Sequence, residues 1–218
     1  MTGTVSIAIY SDRTPPKTVE RSVAATEAAG LTVESDQPTE VTVGENDYFE
    51  FTADYANSSV RLSFNLSDNR PPDEPVLSLG GLSDTVHPKW ARADTDTNYK
   101  EWMEIVFELV CRLATQLQAD YVAWLNTADD PMKSVPQDRP IGEAVEQPPV
   151  FGIYTTQVLE NLGGVSSLFN TEPWYIGDID GDRTAVIESE QPWVESGWQP
   201  PTDTIVKHAE FRDDPERP

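Results

Sequence analysis

The 218-residue chain carries 38 Asp plus Glu against 15 Lys plus Arg, a formal net charge of −23 at pH 7, and its lysines are five: Lys17, Lys89, Lys100, Lys133 and Lys207. No Lys/Arg cluster exists to neutralise phosphates, so nucleic-acid binding is not expected. No apolar run approaches the ~20 residues of a membrane span, and one cysteine, Cys111, leaves no internal disulfide framework or cysteine zinc cage.

The charge is evenly spread: residues 1–109 hold 19 acids and 8 bases, and residues 110–218 hold 19 and 7. A local acidic patch or tail would make the halves differ. Even spread reads as adaptation of a whole surface to high salt, as in halophilic archaea. In dilute buffer such a charge repels itself; in molar salt the Debye length falls to about 3 Å and the carboxylates remain as a hydrated coat. The same surface can also attract a basic protein or toxin and speed its encounter. The segment Met1 to Val5 lacks a basic stretch followed by an apolar one, so no secretory signal is expected and the cytoplasm is the expected location.

In chain order, residues 4–10 alternate as a strand. Thr14-Pro15-Pro16 opens a helix that reaches about Ala29, with Gly30 as its stop, because Pro loses nothing in a first turn and Gly readily takes the left-handed conformation that ends one. Val41 and Val43 mark a short strand. Tyr48 to Asp54 and Val60 to Ser67 flank the turn Ala56-Asn57-Ser58. Phe49, Phe51, Ala53 and Tyr55 share one face, as do Val60, Leu62, Phe64 and Leu66. This period of two predicts a half-buried antiparallel hairpin.

Residues 68–97, rich in Pro and Gly, read as loop, either an internal domain boundary or a crossing of the same sheet. Residues 98–118 predict an amphipathic helix: Trp102, Val106, Leu109, Val110, Leu113 and Leu117 fall on one arc, with Glu101, Glu104, Glu108, Thr115 and Gln116 opposite. Asp120 to Asn126 reads as a strand, followed by a Pro-rich connection at 127–149 and a short apolar strand at 150–154. Thr155 or Thr156 caps a helix over 157–162 that Gly163-Gly164 ends, and Val165 to Phe169 adds a helical turn. Trp174 to Ile179 and Thr184 to Ser189 form a last hairpin around Asp180-Gly181-Asp182. The predicted fold is α+β, mainly an antiparallel sheet packed against one long helix (98–118) with smaller helices, in a single domain over 1–198. A polar, loosely ordered tail follows at 199–218.

Familiar catalytic signatures are missing. There is no phosphate-binding loop, dinucleotide fingerprint, nucleophile elbow or paired-His zinc motif. His87 and His208 sit in loop or tail sequence and read as solvated residues. Cys111 reads as a small inert side chain, since only Arg112 is near in sequence to activate it. Asp178, Asp180 and Asp182 resemble the start of a calcium loop. Arg183 stands where that loop wants Gly, and Ser189 where it wants a bidentate Glu, so a hairpin turn is the better reading. Trp174, Tyr175, Trp193 and Trp198 are candidates for a partner-binding surface, or else cover core edges and pin the C-terminal segment. No cofactor or metal is expected, and an enzyme is not indicated.

The segment Phe151-Gly152-Ile153-Tyr154-Thr155-Thr156-Gln157-Val158-Leu159-Glu160-Asn161-Leu162-Gly163-Gly164-Val165-Ser166-Ser167-Leu168, followed by Ala185-Val186-Ile187-Glu188-Ser189-Glu190-Gln191-Pro192, resembles the strand–helix–Leu-Gly-Gly and hairpin stretch of type VI secretion-associated immunity proteins (residues 150–192). The chain departs from that family in an extra N-terminal strand and helix, a longer connection at 127–149 and a salt-adapted surface. The resemblance implies tight, non-catalytic binding to a toxin and lends no catalytic residues. The expectation is therefore a halophilic cytoplasmic binding protein, immunity-like. The alternatives are a hydrolase using a carboxylate pair and a structural or mobile-element protein of a halophile.

Overall fold

The computed structural model describes residues 5–33, 48–56, 58–67, 69–82, 99–126, 131–137, 140–141, 145–189, 197–199 and 201. The strand expected at Val41 and Val43, His87, Trp193, His208 and the tail from 202 onward lie outside them. The fold is α+β, with a large antiparallel sheet and a few helices. Its elements are β1 (Val5–Tyr10), α1 (Thr18–Ala28), β2 (Thr32–Val33), β3 (Tyr48–Tyr55), β4 (Ser58–Asn65), β5 (Leu77–Gly80), α2 (Tyr99–Gln116), β6 (Tyr121–Asn126), a 3-10 turn (Pro131–Ser134), β7 (Phe151–Thr155), α3 (Thr156–Asn161), α4 (Val165–Leu168), β8 (Tyr175–Asp178) and β9 (Arg183–Ile187).

The strands form one sheet in the order β2-β3-β4-β5-β1-β6-β7-β9-β8, with every pairing antiparallel. Three connections link strands that run the same way without touching: β1 to β2 through α1, β5 to β6 through α2, and β7 to β8 through α3 and α4. The first starts on a strand antiparallel to that of the second and moves the opposite way across the sheet. A shared crossover hand therefore places α1 and α2 on one face and α3 and α4 on the other.

The buried side chains divide in that way. One core joins Val19 and Ala25 of α1 and Trp102, Val106, Val110 and Leu113 of α2 to Ile7, Ile9, Phe51, Leu62, Phe64, Leu79 and Phe151. The other joins Val158, Leu159 and Val165 to Ala8, Tyr10, Tyr121, Tyr154 and Val186. On α2, Glu101, Glu104, Glu108, Arg112 and Gln116 are exposed, while Phe107 stacks on Phe151 of the sheet at 5.7 Å. Among the described residues no helix is long and apolar enough to cross a membrane.

The hairpin β3–β4 pairs Phe51 with Leu62 and Phe49 with Phe64, the register its alternation demands. Three differences from the sequence reading have physical causes. Helix α1 begins at Thr18 and not at Pro15, because Lys17 takes φ 60° and breaks the helical path; Thr18 Oγ1 donates to the Pro15 carbonyl at 2.5 Å. Strand β5 lies inside the stretch read as loop. It is four residues long beside Pro75 and Gly81, too short to show alternation, yet Leu77 and Leu79 are fully buried between β1 and β4. Strand β2 is only two residues long and was not foreseen.

Candidate functional site

Strand β7 ends at Thr155, whose hydroxyl accepts the Val158 N–H at 3.3 Å and caps α3. That helix closes when Gly163 N–H donates to Glu160 O (3.0 Å) and Gly164 N–H to Leu159 O (2.7 Å). The pattern is a Schellman stop, and it needs the left-handed residue that Gly163 supplies at φ +85°. A Cβ on Gly163 would also lie 2.9 Å from Ser167 Oγ, which donates to the Gly163 carbonyl at 2.7 Å. The two glycines thus turn the chain straight into α4 and set Leu168, Phe169 and Asn170 beside the sheet.

Two other segments face that wall. The 3-10 turn is tied to the sheet by Tyr121, whose hydroxyl donates to Ser134 O at 2.8 Å. The strap carrying Glu146 and Gln147 is tied to it by the Gln147 N–H on Lys133 O, 2.9 Å. Beyond the end of β9, the Glu188 N–H donates to Val150 O (2.8 Å) and its carbonyl accepts from Trp174 N–H (3.2 Å). Together these segments enclose a cleft of about 400 Å3 whose lining includes Lys133, Glu146, Gln147, Phe169, Asn170 and Glu188.

In β7, Tyr154 leans back over Gly152, where a Cβ would lie 2.7 Å from the phenol oxygen. The Gly–x–Tyr spacing along one strand face makes room for this ring. The Tyr154 hydroxyl is buried and has no hydrogen-bond partner among the described residues. Burial, and secondarily the Glu188 carboxylate, push this phenol up. Tyr121 stands 5.3 Å from it and 5.7 Å from Tyr10, ring centre to ring centre.

Two of the three aspartates of the β8–β9 turn hold backbone amides, and the third, Asp182, is exposed with its carboxylate 3.6 Å from Arg183 Nη1. Asp178 accepts the Gly181 N–H (2.6 Å) and Asp180 accepts those of Asp182 (3.2 Å) and Arg183 (3.0 Å). Asp180 also accepts from Thr115 Oγ1 on α2 (3.0 Å) and from Arg183 Nη1 (2.9 Å). Burial alone would raise the Asp180 carboxyl, but the Asp182 amide, the Arg183 charge and these side-chain bonds outweigh it and hold it below the usual carboxylate range. Among the described residues no group of three or more His, Cys, Asp or Glu gathers as a metal site.

Of the aromatic candidates, Tyr175 and Trp198 are buried in the α2-side core and Trp174 is half-buried against it. Trp198 packs on Phe107 at 5.0 Å and on Trp174 at 6.1 Å, which holds the 197–199 segment against α2. Trp193 lies outside the described residues. Cys111 is buried, and its thiol is pushed up by burial and then by Glu108 and Asp180.

Sequence reasoning passed over several residues that organise this end of the molecule. Arg70 is buried, with Nη2 on Ser11 O (2.9 Å) and Nη1 on Ser67 O (2.8 Å) and on Thr14 Oγ1, so it joins the loop after β1 to the loop after β4. Asp120 accepts the Asp12 N–H at 2.9 Å; burial raises its carboxyl despite that bond and the nearby Arg183. Lys133, Glu146 and Glu188 carried no motif. Only the Ala185 to Pro192 stretch touched one of them.

No protein-family model matches the chain, and no curated protein matches it in sequence. Among solved structures, the Pseudomonas aeruginosa T6SS protein PA0821 is similar over 95% of this chain and 68% of its own, at 12% sequence identity and a TM-score of 0.46.

Proposed function

We propose that this chain is a non-catalytic binding protein of a high-salt cytoplasm, an immunity-like inhibitor whose partner is a basic toxin. The observation that carries the reading is the charge: −23, shared evenly by both halves of the sequence. A surface of that kind disfavours acidic partners and favours basic ones through short-range carboxylate contacts. Supporting it, the segment that resembles the immunity family, Phe151 to Leu168, supplies β7, the glycine turn and α4, whose last residue Leu168 lines the cleft. The carboxylates at the β8–β9 turn are bound to backbone amides and an arginine, as structural groups are.

The test is purification of the tagged chain from a native lysate held in molar KCl, with intact-complex mass spectrometry, followed by co-expression with the captured protein. A stoichiometric basic partner whose toxicity the chain suppresses is the expected result. A monodisperse monomer that takes up nothing contradicts the proposal.

A second reading, a hydrolase with a carboxylate pair, is favoured by one observation: Glu146 and Glu188 line the same cleft. Turnover of an aryl glycoside panel that either Glu→Gln variant abolishes would establish it; no turnover by the wild-type chain rejects it.

A further inference from the structure

We infer that the outer edge of β3, from Tyr48 to Thr52, receives an extended segment of a partner protein, which joins the sheet as a further antiparallel strand with basic residues on its solvent side. The inference rests on the proposed function for its partner, and deepens it by naming the surface.

The edge follows from the register. Asn65 N–H donates to Val76 O at 3.1 Å, on the β5 side of β4. Backbone groups alternate in direction along a strand, so Phe64 and Leu62 turn theirs toward β3. Their partners Phe49 and Phe51 face back, and Tyr48, Glu50 and Thr52 present N–H and C=O groups to the opposite side. Beyond β3 lies β2, two residues long, which pairs with Asp54 and Ala53. Among the described residues no strand takes up the edge groups of Tyr48, Glu50 and Thr52. Natural sheets blunt such edges with short strands, lysine or proline. Strand β3 is eight residues long and contains neither Lys nor Pro. At the other edge of the sheet β8 has four residues, three of them buried.

The side chains specify the occupant. Tyr48 is 63% exposed, the one exposed large hydrophobic side chain among the described residues. It shares the solvent face of β3 with Glu50, whose carboxylate accepts from Ser63 Oγ at 3.2 Å. Antiparallel residues that exchange backbone bonds point their side chains to the same face. Incoming residues bonded to this edge therefore stand beside the Glu50 carboxylate and the Tyr48 ring. A cation there gains a cross-strand ion pair and an aromatic face. The intervening residues fall on the α1 and α2 side of the sheet. Phe49 is half-buried at the rim of that core, its ring centre 6.4 Å from Phe51 and 6.0 Å from Phe64, and an apolar side chain completes its cover. An alternating basic and apolar strand meets both demands. A second copy of this chain fits less well, because it brings its own Glu50 and a net charge of −23 to the same edge.

The test is amide hydrogen exchange and amide-shift NMR of the full chain in molar KCl, with a blocked heptapeptide that alternates arginine with valine. In the isolated monomer the Glu50 and Thr52 amides should exchange freely, and the peptide should slow them and shift resonances at 48–52. N-methylation of its arginines, whose N–H groups meet β3, should abolish binding. N-methylation of its valines, whose N–H groups point away, should not. A peptide with glutamate in place of arginine should not bind, and Glu50→Lys should weaken the arginine peptide on the order of tenfold. Glu50 is exposed, so an unchanged melting temperature will show that this variant is folded. Four results overturn the edge site: Glu50 and Thr52 amides already protected in the free monomer, a concentration-dependent dimer that protects them, an equal effect of the two N-methylations, or equal binding of the glutamate peptide. The two proposals fail separately. A captured basic partner that leaves 48–52 unshifted sinks the edge site alone, whereas edge-specific peptide binding by a chain that captures no partner sinks the proposed function alone.

Discussion

Arg183 lies with its Nη1 2.9 Å from Asp180 Oδ2 across the tip of the β8–β9 turn, and its side chain is only 11% exposed. The same guanidinium donates from Nε to Ala119 O at 2.9 Å, just past the end of α2, while Asp180 accepts from Thr115 on that helix. One ion pair therefore fastens the last hairpin to the long helix.

Arg183→Ala leaves the Ala119 carbonyl and the partly enclosed Asp180 carboxylate without this donor. A loss of about 2 kcal/mol in unfolding free energy is expected by urea denaturation at high salt. The Asp180 carboxyl is held below its ordinary value, so its contribution is present above the unfolded carboxyl value of about 3.9 and is lost as pH falls through the folded one. The stability gap between wild type and Asp180→Asn should accordingly close below about pH 4. A gap that persists unchanged there would mean that charge is not what Asp180 contributes.

Gly163→Ala should cost more than Gly181→Ala. Both positions have positive φ, +85° and +83°, so each pays roughly 1–2 kcal/mol of left-handed strain. Only Gly163 also meets a neighbour, Ser167 Oγ at 2.9 Å, while nothing lies within 4 Å of a Cβ at Gly181. Equal melting temperatures for the two variants would show that the α3–α4 turn yields to the added methyl.

Tyr10, Tyr121 and Tyr154 are held protonated chiefly by burial. A phenol whose folded value lies above its unfolded one stabilises the fold fully below the unfolded value, and that stability is lost as pH rises beyond it. Alkaline unfolding should therefore start above about pH 10. Absorbance near 295 nm should show these three phenolates forming only together with loss of far-ultraviolet dichroism. Ionisation of all seven tyrosines before unfolding would contradict the burial.

Long alternation and strong stops were legible in the sequence, and short pieces were not. Phe49 to Tyr55 and Val60 to Leu66 declared their faces because eight-residue strands repeat the period several times. Gly30 and Gly163 marked helix ends because left-handed geometry selects glycine. Strand β5 escaped notice because Leu77 and Leu79 make a single repeat beside turn residues, and its place between β1 and β4 is fixed by contacts distant in sequence. The start of α1 was misplaced because Pro15 and Pro16 permit a first turn without requiring one. The cleft was illegible for another reason: Lys133 and Glu146 lie in the connection between β6 and β7, Glu188 reaches them only after the β7-to-β8 crossing and the last hairpin, and an isolated Glu in a chain with 38 acids carries no signal. Trp198 was legible as a large apolar residue, but its burial against Phe107 depends on where the chain returns.

The account turns on how the carboxylate excess responds to salt, and thermal unfolding of the chain across a KCl series from dilute buffer to saturation measures that directly. With a net charge of −23, the melting temperature should rise continuously with salt, and the chain should lose its cooperative transition in dilute buffer as self-repulsion is unscreened. A cooperative transition in dilute buffer at a melting temperature that salt leaves unmoved would contradict the account.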